Sequence, residues 1–352
     1  MTETTETSIP RAAPGRPARP LAPAPDSTRD APLPKVVLAG GSGFLGRRLQ
    51  RVFAAAGYEV VVLTRRPGSV AAPARAVAWD PAKFGPWTQE LEGAAAVINL
   101  AGKNVDCRPS AANRREILKS RLNSVRALAE AVRRCAQPPA TWIQASSLAI
   151  YGDAGPLWCD ESAPLGDGFA PEVCTQWEAS FAKAPLPPLR KVLLRIGFVL
   201  SPEAGALPVL ARLAKWFAGA PAGSGRQWVS WIHAHDMDRI FLRAVADPAL
   251  VGTFNACTAG PATNAELMAE LRALYRRPWL PAMPAWLIRA AAWLLHSDAS
   301  LALTGRRGLP GRLMEVGFRF DYPALGPALD EMLLGPRLPA APPAHLAPAG
   351  AH

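Results

Sequence analysis

The chain has 352 residues and a formal net charge of +11, with 49% hydrophobic and 19% charged residues. That balance belongs to a globular chain able to bury a sizeable core, and it excludes a wholly unstructured or fibrous protein. Arginine supplies the positive excess, since only seven lysines occur. No aromatic-interleaved basic cluster marks a nucleic-acid surface, so an anionic small-molecule cofactor is the expected partner and no nucleic acid is expected.

Residues 1–34 are rich in proline, alanine and threonine and lack hydrophobic periodicity, which predicts a disordered tail. Its four arginines are matched by Glu3, Glu6, Asp26 and Asp30, so the excess charge sits further on. Lys35–Ala39 reads as a first strand that ends in glycines, followed by a helix over Arg47–Ala56 that Gly57 stops. Further strands are predicted at Glu59–Thr64, Ala76–Trp79, Ala95–Leu100, Thr141–Ala145 and Lys191–Leu200. A long helix over Ala111–Cys135 carries Ile117, Leu118, Leu122, Val125, Leu128 and Val132 at helical spacing. Continuous apolar strands separated by helices indicate a Rossmann-type, doubly wound parallel α/β sheet.

After about residue 200 proline and glycine interrupt the pattern, and helices dominate from Asn264 onward. The expected organisation is a nucleotide-binding domain over 35–200, with strand segments up to about 260 rejoining it. A smaller, mainly helical C-terminal lobe follows over 201–335, then a second loose tail over 336–352. Ala285–Leu295 is apolar, but it is shorter than the ~20 residues of a membrane span and Arg289 interrupts it. It reads as a packed helix. No membrane span and no secretory leader are expected. The five cysteines are scattered without a C-x-x-C pair, which points to reduced thiols in a cytoplasm and to no metal site.

The chemistry starts at Gly40-Gly41-Ser42-Gly43-Phe44-Leu45-Gly46, between the first strand and the first helix. Gly40 permits a tight turn, Gly43 lets backbone approach a pyrophosphate, and Gly46 lets the helix pack on the sheet. The helix N-terminus then presents free N–H groups to the phosphates. The second strand ends in Thr64-Arg65-Arg66, where NAD enzymes place a carboxylate for the ribose hydroxyl. A guanidinium there pairs with a 2′-phosphate instead, which favours NADP(H) over NAD(H). Asp80 is placed to meet the adenine, and Leu100, Ala101 and Gly102 supply small residues beside the ribose.

These segments resemble the short-chain dehydrogenase/reductases of the extended type. More narrowly, the chain resembles the atypical epimerase-family subgroup with its own C-terminal domain of unknown function. The matching stretches are Gly40–Gly46, Asn99–Gly102, Ser146-Ser147 with Tyr151-Gly152, Arg195–Leu200, Gly223–Asp236, Asn255–Leu267 and Leu309–Phe320. The resemblance runs over roughly residues 35–333. It implies a nicotinamide cofactor, with Ser146 at its edge, and a substrate cleft between the lobes. It also implies that Ser147 orients a substrate oxygen.

The family's Tyr-x-x-x-Lys pair should lie near Glu172–Glu178, and no such pair exists anywhere in the chain. Substitutes are Tyr151, whose free pKa near 10 demands a nearby cation, Cys174 with Glu178, which share one helix face, and His233 or His235, whose ordinary range suits proton exchange. Arg226 and Trp231, in the Gly223–Trp231 stretch, are candidates for the substrate side, or else that stretch is a lid packed on the core through Trp228 and Trp231; His233 is a further candidate, or else orients the loop before Asp236. Two functions stay open. One is an NADP(H)-dependent oxidoreductase or epimerase of unknown substrate with a non-standard acid/base group, a monomer or homodimer. The other is a non-catalytic NADP(H)-sensing regulator or scaffold, with a link to cell division.

Overall fold

A computed structural model describes residues 33–335. The expected tails lie outside the described residues, apart from Leu33 and Pro34. The chain runs from β1 (Lys35–Ala39) through α1 (Phe44–Ala55), β2 (Glu59–Thr64), β3 (Arg75–Ala78) and β4 (Ala96–Asn99). Helix α2 (Ala111–Arg134) leads to β5 (Thr141–Ser147), the two-residue β6 (Trp158–Cys159), α3 (Phe169–Ala182) and β7 (Arg190–Ile196). Next come β8 (Phe198–Leu200), α4 (Leu207–Lys215), β9 (Trp228–Val229), β10 (Trp231–His233), α5 (Ala234–Ala246) and β11 (Gly252–Ala256).

Seven strands form one parallel sheet in the order β11-β7-β5-β4-β1-β2-β3. Alternate residues of each strand feed two separate cores, which is why the strands read as unbroken apolar runs. On one face Val36, Leu38, Val60, Val62 and Ile98 pack under Leu49 and Phe53 of α1 and Met237, Ile240 and Phe241 of α5. On the other, Val37, Val61, Val97 and Trp142 pack under Val125, Leu128 and Val132 of α2 and Trp177 and Phe181 of α3. This is the expected Rossmann-type, doubly wound sheet.

The strand predicted over Lys191–Leu200 breaks in two. Gly197 donates its N–H to Ala256, and a Cβ there would meet the Ser230 carbonyl oxygen at 2.5 Å. The chain therefore leaves the sheet at Gly197, and β8 pairs with β10 instead. Strand β11 takes the outer place beside β7.

Beyond the sheet lie β12 (Ala262–Thr263), α6 (Asn264–Leu274), α7 (Ala285–Leu294), α8 (Ser300–Leu303), β13 (Arg307–Gly308), α9 (Gly311–Glu315) and α10 (Leu325–Leu334). Thr263 and Glu266 close a capping box on α6. Helices α4, α6 and α10 bury Leu207, Leu271 and Leu329 around Trp231 as a smaller helical lobe. Contrary to expectation, α7 is not packed: it has no buried residue, and Trp286 and Trp293 are 68% and 70% exposed. It touches the body of the protein by its edge, where Arg108 lies over Trp293 and Ser297 bonds to Asp106.

The lobe is fastened by a carboxylate. Asp236, 0% exposed at the start of α5, accepts the backbone N–H groups of Asp321 and Tyr322 and the guanidinium of Arg239. Removing it leaves two backbone donors without their acceptor and takes away one of the three partners of Arg239. Asp236→Ala should cost about 3 kcal/mol in urea unfolding, and a loss under ~1 kcal/mol would contradict this account.

Candidate cofactor and substrate site

Parallel sheets bind ligands where the strand order reverses, outside the carboxyl ends of the strands. Here that point lies between β1 and β4. Gly40 turns the chain off β1 with φ +77°, and a Cβ there would stand 2.7 Å from Ala101 Cα. A Cβ on Gly46 would stand 2.1 Å from the Gly41 carbonyl oxygen, so only glycine lets α1 start so close to the loop. Gly41 is confined by Val62 and its carbonyl accepts Gln50 Nε2 at 2.8 Å. Gly43 differs: a Cβ there would meet nothing nearer than 3.8 Å.

Gly43 is also the N-cap of α1. No side chain caps it and no acidic residue sits in the first turn. The first N–H groups of α1 thus face a cavity of about 260 Å³ lined by Gly40, Gly43, Phe44, Leu45, Gly46, Leu100 and Ala145. Open space above Gly43, unpaired donors and no nearby carboxylate fit a bound pyrophosphate. Ser42 sits beside Thr64 at the end of β2, with the hydroxyls 3.4 Å apart.

Arg65 and Arg66 follow as exposed residues, and neither guanidinium forms an ion pair among the described residues. Asp80 is exposed and spends one oxygen on the Ala82 N–H. On the far wall Asn99, fully buried, donates to Ser124 and Gln144 and accepts the Ala101 N–H. That network fixes Leu100, Ala101 and Gly102 beside the glycine loop. Sequence reading singled out the loop and the Asn99–Gly102 segment but not Gln144, which faces Asn99 only once β4 and β5 pair.

The acid/base region is built around Arg195, which the sequence reading did not single out. Its guanidinium forms a bidentate pair with Glu178 at 3.1 and 2.9 Å and donates to the Tyr151 hydroxyl at 2.7 Å. Ser146 donates to the same Glu178 carboxylate at 2.6 Å. Both Glu178 oxygens are therefore engaged. Tyr151 is 2% exposed, and its hydroxyl also lies within hydrogen-bond distance of the Asp160 carbonyl and Asn255 Oδ1. Burial pushes its pKa up to about 12 despite the guanidinium. The cation that Tyr151 was expected to need is present, yet the ring is sealed in a cluster with Leu148, Cys159, Cys174 and Cys257.

Cys174 shares the helix face with Glu178 as expected, and burial pushes its thiol pKa up to about 12. Ser147 is half-buried, and its oxygen accepts the Ala149 N–H, which leaves its own proton free to donate.

Two substrate-side candidates are turned elsewhere. Trp231 is 1% exposed, and its indole N–H donates to the Gly260 carbonyl inside the helical lobe. His233 stacks on Tyr322 at 3.9 Å and meets Glu331 of α10 at 3.1 Å, while burial lowers its pKa. Both residues pack the lobe because β10 pairs with β8, away from the main sheet. Arg226 is exposed and carries no ion pair among the described residues. Among those residues no cluster of three His, Cys, Asp or Glu can hold a metal ion, and no helix is long and apolar enough to cross a membrane.

A doubly wound parallel sheet with a glycine cradle at its switch point defines a nucleotide-binding protein of the Rossmann type. More narrowly, the chain belongs to the NAD dependent epimerase/dehydratase family, whose model matches residues 36–257. A second model, a domain of unknown function (DUF1731), matches residues 283–332. The chain is 33% identical over 304 residues to epimerase family protein SDR39U1 of Bos taurus, covering 85% of this chain and 99% of that one. It is 33% identical over 306 residues to the chloroplastic homologue of Arabidopsis thaliana, covering 84% and 85%. A crystal structure of the human epimerase family protein SDR39U1 with NADPH superposes with a TM-score of 0.74 at 31% identity, covering 85% and 98%.

Gly46→Ala should weaken nucleotide binding more than tenfold, measured by titration, because α1 must move off the loop to admit the methyl group. The Cys174 thiol, with its pKa near 12, should stay protonated at pH 8. Iodoacetamide should then modify Cys174 only after unfolding. Rapid labelling of the native protein would contradict its placement.

Proposed function

We propose that the chain binds NADP(H) in the β1–α1 cleft and acts as an oxidoreductase or epimerase on a small-molecule substrate. The carrying observation is the pair of exposed guanidiniums, Arg65 and Arg66, that follow β2 and form no ion pair among the described residues. A carboxylate at that place would repel a 2′-phosphate, and a guanidinium pairs with it. The human relative solved with NADPH supports the same choice.

A bound nicotinamide cofactor supplies hydride transfer. The chain's own residues would hold and orient its substrates. Gly40–Gly46 would hold the pyrophosphate, with Leu100, Ala101, Gly102 and Ser146 along the ribose and nicotinamide side. Asp80 would meet the adenine. Ser147 would donate its free proton to a substrate oxygen. Tyr151 and Glu178 act as positioning residues, because their polar atoms are already engaged by Arg195. All five cysteines are free, which fits a reducing compartment such as the cytoplasm.

Arg65→Ala with Arg66→Ala should raise the Kd for NADPH at least about tenfold and leave that for NADH within twofold. Equal losses for both cofactors would remove the NADP(H) preference. Deuteride transfer from labelled NADPH to a carbonyl panel, followed in the same samples, separates turnover from silent binding.

A further inference from the structure

Helix α7 turns its apolar side outward. Its ten residues include none that is buried. The half-buried ones, Ala285, Ile288 and Ala292, recur at steps of three and four and so form one stripe, the side toward the body of the protein. Trp286, Leu287, Trp293 and Leu294 lie on the exposed side with Arg289, and Leu295 follows at the C-cap. Leu294 and Leu295 are 69% and 74% exposed. A helix on a globular surface ordinarily shows the reverse pattern, with its polar face outward. So large an exposed apolar face marks a contact surface.

The neighbouring chain extends it. Gly223 donates to the Met283 carbonyl at 2.8 Å, and Met283 donates to the Pro221 carbonyl at 2.7 Å. The segment after α4 is thereby fastened to the residue before Pro284, the N-cap of α7. The end of α4 brings Trp216 and Phe217, 74% and 56% exposed, and the connector before α7 brings Trp279, 76% exposed. Arg277 joins the two stretches: its guanidinium lies 4.1 Å over the Phe217 ring, and its Nε donates to the Lys215 carbonyl at 3.0 Å. At the other end of α7 the Arg108 guanidinium lies 5.4 Å over Trp293. Cations are thus stacked directly on the exposed rings.

The local charge has one sign. No Asp or Glu occurs from 204 to 235 or from 271 to 297, whereas Arg212, Lys215, Arg276, Arg277 and Arg289 all fall in those stretches. Arg108, Arg277 and Arg289 form no ion pair among the described residues. At the rim the Asp106 carboxylate accepts the Ser297 hydroxyl. A second copy of the chain is a poor occupant. Arg289 stands midway between Trp286 and Trp293, so a two-fold pairing through the tryptophans would crowd two Arg289 side chains together with no carboxylate on α7 to offset them. A helix of ten residues is also only about 15 Å long, too short to bury alone the ~800 Å² per partner of a stable protein interface. An anionic lipid surface meets both demands: indole rings and leucines enter the acyl boundary while the guanidiniums stay with the phosphates.

We propose that α7, with the end of α4 beside it, docks the protein on the surface of an anionic phospholipid bilayer. The helix lies in the interface plane and does not cross it, since ten residues span only half of a ~30 Å hydrocarbon core. The proposal stands independently of the cofactor reading.

The test is flotation of the full chain with vesicles of phosphatidylcholine containing about a third phosphatidylglycerol. The protein should float with these vesicles, stay behind with vesicles of phosphatidylcholine alone, and be released by added salt. Trp286→Ser with Trp293→Ser should weaken retention at least about tenfold and leave the urea midpoint unchanged, because both rings are exposed. Arg289→Glu should weaken it several-fold, and it carries the test should the double variant not fold. Absence of wild-type retention, equal retention by the neutral vesicles, or retention undiminished in the variants would overturn the proposal. A dimer that the double variant dissolves, with vesicle retention unaffected, would assign the face to a second copy and overturn it as well.

Discussion

A buried guanidinium needs partners for its charge and its N–H groups, and the site is arranged around the carboxylate that Arg195 finds. Arg195 stands on β7, 8% exposed, one strand away from the residues that would meet a cofactor. Glu178 neutralises it through two oxygens, and the same carboxylate takes the Ser146 hydroxyl at the end of β5. The remaining donor reaches Tyr151, whose hydroxyl lies against Asp160 and Asn255. One ion pair thus ties β5, β7, β11 and α3 together beneath the substrate side. A pair of this kind adds little net stability, since desolvation offsets its attraction, but losing one partner leaves a charge stranded. Its role here is to fix geometry.

Cofactor binding depends on a different constraint, the close approach of backbones at the strand-order switch. Gly40 against Ala101 and Gly46 against Gly41 leave no room for a methyl group, whereas Gly43 opens onto the cavity. The two constraints meet at Leu100–Gly102. This loop is fixed from behind by Asn99 and touches Arg121 in front.

Much of this was legible in the chain itself. The alternation of apolar strands and helices specified the doubly wound sheet, because strands buried on both faces have no polar alternation to hide them. The glycine spacing marked the cradle, since its steric demands are local. The four-residue spacing of Cys174 and Glu178 put them on one helix face. Trp231 and His233 stayed open between a cleft and a packed position, because a short loop with aromatic and titratable residues looks the same whether it faces a cleft or a core. The break at Gly197, which sends β8 to pair with β10, decided for the core. The apolar run at α7 read as buried and is exposed, because hydropathy does not say whether a neighbour exists to cover it.

The sequence by itself determined the backbone chemistry: where the chain turns, where close backbone contact demands glycine, and that no Tyr-x-x-x-Lys pair is present. These follow from steric and periodic rules that act over a few residues. Only the tertiary structure decided which charges are paired. Glu178 meets Arg195 across 17 positions. Pairing is set by distance and desolvation in three dimensions, and neither quantity is written in the order of residues.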